Sequence, residues 1–364
     1  MRITFLLPPV NYYGGIRSNA ELAWALKRKG HDVLAVFPPR KPPTLRQRLS
    51  SLRKGKWLRY ERRLPSFFDE IPVKQHELER HRPVVSSDLP DADIVIATWW
   101  ETAEWLPGLD RKKGAPVYMV RGHEVTLTPF PERCAKTYKL PAHKVCISTW
   151  LIDIMRETYG DSNVSLVPNS VDVSKFSSPP RSRGKGNTVS LQVSDSESKG
   201  TPFAIEVTDI VQKQLPDLKV LAFGFHRPKT FVMPDYYEFI ENPQPDGVRD
   251  IYARSDAFLF TSPGEGFGRP PLEAMATRTP LVSTSVGGPS DFVENGKNGF
   301  LAKYGDAKGM AENLHHVLTA SPEEWERVSL AGWNTAHGYS WDDAAVRMET
   351  ALERALERRR AGEI

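Results

Sequence analysis

The sequence predicts an α/β chain of two domains, each a parallel sheet wrapped by helices. Three observations predict it. At 364 residues the chain has room for two α/β domains of ordinary size. It opens with a βαβ unit in which residues 2–7 read as strand, 18–29 as helix and Asp32–Phe37 as strand. The same alternation restarts beyond residues 176–187, FSSPPRSRGKGN, a stretch with the composition of a linker.

Composition narrows the class. Charged residues make up 26% and hydrophobic ones 40%, which excludes a disordered chain and fits a soluble globular one. The two cysteines, Cys134 and Cys146, lack CxxC spacing and argue for neither a zinc site nor a disulfide framework. Residues 1–7 are too short for a signal peptide and make a good first strand. No apolar run approaches the roughly 20 residues that cross a bilayer. The expected compartment is the cytoplasm. A net charge of +4 does not by itself point to nucleic acid.

Between the first strand and helix sits Asn11-Tyr12-Tyr13-Gly14-Gly15-Ile16-Arg17-Ser18. The glycine pair permits close backbone approach at a helix N-terminus. It lacks the GxGxxG spacing and a following acid, so dinucleotide binding is weakly supported, and such a pair is often only a loop. Residues 40–68 then break the rhythm. They carry Arg40, Lys41, Arg46, Arg48, Arg53, Lys54, Lys56, Arg59, Arg62 and Arg63 against a single acid, Glu61. Leu45, Leu49, Leu52 and Trp57 fall on roughly one helical face. A basic amphipathic helix with a Trp points to an anionic membrane surface or a lipid-phosphate acceptor; the other reading is a solvated insertion interrupted by Gly55.

Residues 93–98 form the next strand, followed by Trp99, Trp100 and Trp105. Strand ends are where open α/β sheets place ligands, so these rings either stack on sugar faces or pack under a neighbouring loop. Residues 117–120 are a strand running into Arg121-Gly122-His123-Glu124. His123 is well placed for a ligand, though such a histidine can also merely satisfy a backbone carbonyl. Residues 144–148 and 164–167 complete the half. Beyond the linker come a strand at 188–193, a helix at 202–214 and strands at Leu218–Gly224, Ala257–Phe260 and Leu281–Thr284.

The chain is organised around TSPGEGFGRPPLEAMATRTPLVSTSVGG, residues 261–288. Gly264, Gly266 and Gly268 allow a tight loop. Pro270 and Pro271 suit a first helical turn. Strand, glycine loop and helix N-terminus together make an anion site with open backbone N–H groups. Glu265 and Glu273 frame it, and carboxylates are good acceptors for sugar hydroxyls. A nucleotide-sugar, with phosphates at its middle and hydroxyls at both ends, fits that arrangement. The spacing alone is equally compatible with an ordinary strand-turn-helix unit bearing two solvated glutamates.

The wording of this stretch closely resembles the Glu-x7-Glu donor motif of family 4 of the retaining glycosyltransferases, which have the GT-B fold of two facing Rossmann-like domains. The trailing Val286-Gly287-Gly288-Pro289-Ser290-Asp291 and Glu294-Asn295-Gly296-Lys297-Asn298-Gly299-Phe300 resemble the same family. So do the Ile-Ser-x-Trp-Leu stretch at Ile147 and Val167-Pro168-Asn169-Ser170-Val171-Asp172, where serine replaces the usual glycine. The resemblance implies a first domain over 1–178, a linker at 179–187, a donor domain at 188–340 and a helix from 341 returning to the first domain. That helix also reads as an ordinary charged surface helix.

The resemblance further implies retaining transfer of a sugar from a nucleotide-diphosphate-sugar to a hydroxyl of a glycan, lipid-linked or small-molecule acceptor. It implies no cofactor and no metal, and no Asp-x-Asp motif or His/Cys cluster opposes that. His123, Glu265 and Lys199 would be catalytic. Gly15, Lys199, Gly266, Phe267, Gly268, Arg269, Pro270 and Glu273 would bind donor, with Glu265 on the sugar hydroxyls and Glu273 on the ribose. The nucleotide base would lie near residues 240–252.

One departure stands out. The family usually places an arginine five or six residues before Lys199, where this chain has Val193 or Ser194. Arg269, at the helix N-terminus, is the candidate replacement, since a guanidinium can meet a phosphate with paired hydrogen bonds. A solvent-facing Arg269 and a catalytically weakened nucleotide-sugar-binding scaffold is the alternative.

Overall fold

The computed structural model describes residues 1–364 except Lys54, Lys56, Leu58, Leu127 and Lys185. Two of the basic residues expected in the insertion, Lys54 and Lys56, therefore lie outside the described residues.

Short apolar runs separated by helix-length segments are buried together when the strands lie parallel and helices cover both faces. In the first unit, Met1–Val167 with Trp341–Ile364, the strands follow this logic. In chain order the elements are β1 (Arg2–Leu6), α1 (Gly14–Arg28), β2 (Asp32–Phe37), α2 (Leu45–Arg53), β3 (Lys74–Glu77), β4 (Ile94–Ala97), α3 (Trp100–Ala103), β5 (Ala115–Val120), α4 (Pro131–Thr137), β6 (His143–Cys146), α5 (Thr149–Glu157) and β7 (Val164–Leu166). The described residues form one parallel sheet of order β3-β2-β1-β4-β5-β6-β7. Every residue of β4 is buried, as its Ile-Val-Ile-Ala sequence requires. β3, by contrast, reads Lys-Gln-His-Glu, with no apolar signal, because it is an edge strand.

α1 begins at Gly14, four residues ahead of the start expected from the apolar spacing, so both glycines lie in its first turn. Nothing within 4 Å would meet a Cβ at either, which leaves that helix end open. α2 forms inside the basic insertion and buries none of its residues.

The second unit, Pro168–Ser340, contains β8 (Asn187–Gln192), α6 (Thr201–Gln212), β9 (Leu218–Gly224), β10 (Tyr237–Glu241), α7 (Pro245–Ala253), β11 (Ala257–Phe260), α8 (Arg269–Ala276), β12 (Leu281–Thr284), α9 (Pro289–Phe292), β13 (Phe300–Ala302), α10 (Ala307–Thr319) and α11 (Pro322–His337). Its described residues form a parallel sheet of order β10-β9-β8-β11-β12-β13. The core joins Val189, Leu191, Val220 and Leu259 of the sheet to Val207, Leu314 and Trp325 of the helices. The chain enters this unit at Pro168, ahead of the compositional linker. Val171 and Phe176 are buried there, and the Ser170 hydroxyl donates to the Ser340 carbonyl at 2.8 Å. The Ser/Pro/Arg stretch is itself tied down: Arg181 donates to the Ser255 carbonyl at 2.5 Å and stacks over Trp325.

The last helix, α12 (Trp341–Arg360), belongs to the first unit, where it packs on α1, β5 and β6. Ala344, Ala345, Met348, Ala351, Leu352 and Ala355 form its buried face, and the alanines let the backbones approach closely. Glu349 bonds His31 at 2.8 Å and Lys29 at 3.1 Å, and Asp342 meets Arg28 at 2.6 Å.

Candidate active site

In the second unit the strand order reverses between β8 and β11. An open parallel sheet leaves a crevice at such a reversal, outside the carboxyl ends of the two strands. Lys199 follows β8 and Glu265 follows β11, so the fold itself brings them to the two sides of one crevice. Lys199 Nζ donates to Glu265 Oε1 at 2.8 Å, and the Ser262 hydroxyl donates to the same oxygen at 3.0 Å. Both side chains of the ion pair remain partly exposed.

The loops around this pair are locked by short backbone approaches. The Thr261 hydroxyl donates to the Lys199 carbonyl at 3.1 Å, and that of Thr284 to the Ser262 carbonyl at 2.7 Å. Gly200 has φ +60° and lies so near Thr261 that a Cβ would overlap its carbonyl oxygen. Gly288 approaches Phe267 in the same way, and its N–H donates to the Phe267 carbonyl at 2.8 Å. Asp195 holds the adjoining loop by accepting from the N–H groups of Lys229 and Thr230 and from the Thr230 hydroxyl. These bonds keep its carboxyl below the usual range.

Arg269, Pro270 and Pro271 open α8. Proline lacks an N–H, so two of the donors expected at a helix N-terminus are missing here. Arg269 is not solvent-facing: its side chain is 10% exposed and lies 3.7 Å from Glu273, itself 8% exposed. Gly268, with φ +79°, turns the chain into the helix. The Phe267 ring is buried against Phe292 and Tyr339, which leaves only its backbone to meet a ligand. Gly266 on the loop and Pro270 in the first turn of α8 are half-buried.

The other expected residues, Gly15 and His123, belong to the first unit. Its sheet reverses between β1 and β4, and Gly15 follows β1 while His123 follows β5, the neighbour of β4. His123 Nε2 is 2.8 Å from the Tyr159 hydroxyl, and its ring leans on Tyr138 and Tyr159. Burial lowers its pKa below 6.5, so the imidazole is neutral at pH 7. Of the three tryptophans, Trp100 is the packing residue at 2% exposure, whereas Trp99 and Trp105 are half-buried.

Sequence reasoning missed Glu124, Ser262 and Asp195. Ser262 was detectable, because Ser-x-x-Glu is a pattern in which the serine and glutamate side chains support one turn. Glu124 carried no such signal, because its surroundings come from residues distant in sequence, Trp100 and Tyr138 among them.

Residues 189–320 match the family model described as Glycosyl transferases group 1. The chain is 32% identical over 112 residues to a D-inositol 3-phosphate glycosyltransferase of Corynebacterium urealyticum, covering 30% of this chain and 26% of that one. It is 28% identical over 129 residues to the capsular polysaccharide biosynthesis glycosyltransferase CapM of Staphylococcus aureus, covering 34% of each. The matched segment thus spans only about a quarter to a third of these relatives. Among solved structures, HepE of Anabaena in complex with UDP and glucose superposes with a TM-score of 0.71 at 15% identity, over 97% of this chain and 99% of that one. TarM of S. aureus gives 0.69 at 11% identity, over 97% and 100%. The chain has the GT-B fold, and its residues 189–320 form a glycosyl transferases group 1 domain.

Proposed function

We propose that this protein is a retaining, metal-independent glycosyltransferase that moves a sugar from a nucleotide-diphosphate-sugar to a hydroxyl of a glycan or lipid-linked acceptor. The observation that carries the reading is the Lys199–Glu265 contact across the strand reversal of the group 1 domain. In the reaction the bond between the anomeric carbon and the diphosphate oxygen breaks and one to the acceptor oxygen forms on the same face. The acceptor proton passes to the departing diphosphate. Lys199 and Arg269 stabilise the charge growing on that diphosphate, a preorganised electrostatic role that needs no divalent ion. Glu265 accepts from the sugar hydroxyls and Glu273 from the ribose. HepE has been solved with UDP-glucose and TarM with UDP and α-GlcNAc-glycerol, which makes UDP the first nucleotide to try.

The test is a thermal-shift panel of UDP, GDP, dTDP and ADP, followed by transfer assays with the stabilising donor in the presence of EDTA. A nucleotide at a hundred times its Kd should stabilise by about 2.7 kcal/mol. Product of retained anomeric configuration, formed despite EDTA, is the expected outcome; no stabilisation by any of the four would overturn the reading. The arginine missing at Val193 or Ser194 favours a second reading, a scaffold that binds donor without turnover.

The acceptor side bears on where the protein works. No helix of the described residues is long and apolar enough to cross a membrane. α2 instead presents Leu45, Leu49 and Leu52 at 79%, 59% and 50% exposure, with Trp57 at 87% just beyond, among Arg46, Arg48 and Arg53. Such a helix lies in a headgroup layer, and each basic residue adds about 1 kcal/mol of attraction to anionic lipid. The proposal is therefore a peripheral protein at the cytoplasmic face of a membrane, meeting a lipid-linked acceptor there. Co-sedimentation with phosphatidylserine vesicles should be strong at low salt and fall when Arg46, Arg48 and Arg53 become Gln. Unchanged co-sedimentation would leave a soluble acceptor.

A further inference from the structure

Glu124 takes no part in the chemistry above, yet it is buried at 3% exposure next to His123. Its Oε2 accepts the backbone N–H of Trp100, the first residue of α3, at 3.3 Å. Its own N–H donates to the Tyr138 hydroxyl at 3.1 Å, and that hydroxyl donates to the Gly122 carbonyl at 3.0 Å. The turn carrying His123 is thus held by Tyr138 on one side and by α3 on the other. β4 and β5 are paired neighbours, so Glu124 bridges the loops that leave adjacent strand ends beside the reversal.

The groups facing this carboxyl are Tyr118 of β5, Cys134 of α4, Tyr138 beyond α4, and Arg121 of its own turn. Burial lifts Cys134 to about 11 and both tyrosines higher still, so none of these three is charged near neutrality. Arg121 is the one cation among them, and it donates to Asn19 at 2.9 Å. Burial pushes Glu124 up to about 8, outweighing the opposing effects of the Trp100 bond and the Arg121 charge. At pH 7 the carboxyl therefore keeps its proton.

We propose that Glu124 is a positioning residue whose buried carboxyl pins the His123 turn to the first turn of α3. Charge on that carboxyl strengthens the Trp100 bond itself but is poorly solvated in the folded chain, so in alkaline solution water has to enter and the turn loosens. The effect on turnover rests on the transferase reading given above; the effect on stability does not.

Two measurements separate them. A folded-state value of about 8 against the ordinary 4.5 means that the folded protein holds a proton the unfolded chain has lost. Stability from this group is therefore complete below about 4.5 and falls as pH rises to about 8. Glu124→Gln keeps the acceptor for Trp100 but cannot ionise, so its Tm should gain on the wild type by about 4 °C or more between pH 5 and pH 8.5. With donor and acceptor in hand, wild-type kcat should fall above pH 8. His123, titrating below 6.5, acts only on the acid side. Glu124→Gln should hold kcat within roughly threefold at pH 6.5 and lack the alkaline fall, while Glu124→Leu, which has no acceptor, should lose roughly tenfold in kcat at unchanged donor KM. Should Glu124→Leu fail to fold, Glu124→Gln decides alone. Tm and kcat profiles of Glu124→Gln that track the wild type throughout would overturn the proposal. If no protein transfers sugar, the Tm comparison still judges Glu124, and the transferase reading falls separately.

Discussion

Lys199→Ala should lower kcat/KM by roughly tenfold to a hundredfold, about 1.4–2.7 kcal/mol, with little change in Tm. The pair it forms with Glu265 is partly exposed, at 27% and 20% of the side chains, and an ion pair of that kind contributes at most about 1 kcal/mol to folding. Its cost therefore shows in chemistry, not in stability. Glu265→Ala should lower turnover by a similar factor, since a lost hydrogen bond to a buried sugar hydroxyl costs about 1–3 kcal/mol. The two are told apart by the free nucleotide: UDP affinity falls in Lys199→Ala and stays in Glu265→Ala, because only the lysine meets phosphate. His123→Ala should behave as Glu265→Ala does. Wild-type rates in all three variants would refute the donor-site assignment.

Arg269→Leu is expected to damage both stability and turnover. Arg269 and Glu273 are nearly buried and 3.7 Å apart, so removing the cation takes one of its partners from a poorly solvated carboxylate, at a cost of about 1–3 kcal/mol. If the guanidinium also faces the leaving diphosphate, kcat/KM falls at least tenfold, about 1.4 kcal/mol. Arg269→Lys separates the roles: it keeps the charge beside Glu273 but loses the paired hydrogen bonds, so stability recovers more than activity. Glu273→Ala should weaken nucleotide-sugar binding. Full activity in Arg269→Leu, alongside lost stability, would make the arginine purely structural and leave Lys199 alone against the diphosphate.

Much of the architecture was legible because parallel strands buried on both faces are written as unbroken apolar runs. Ile94–Ala97 and Ala257–Phe260 could hardly be anything else. β3 was invisible for the converse reason: an edge strand reading Lys-Gln-His-Glu needs only one partner and no core face. α1 begins earlier than its apolar spacing because helices can start on glycines that contribute no packing signal. At the site, the Glu-x7-Glu spacing and Lys199 were readable as a motif, but their contact was not, since it depends on β8 and β11 being neighbours. Arg269 shows the same limit. Its sequence position told of a helix start, while its burial beside Glu273 comes from the packing of the whole unit.

The return of α12 to the first unit sets an order on biosynthesis. Pro168–Ser340 is continuous in sequence and can close its core as soon as it has left the ribosome. The first unit, although translated earlier, stays without the cover over α1, β5 and β6 until Trp341–Arg360 has been made. In the interval it shows an apolar face that chaperones would recognise and that proteases could reach. A chain stalled or cut before residue 341 would therefore leave a sound second half joined to an unfinished first one.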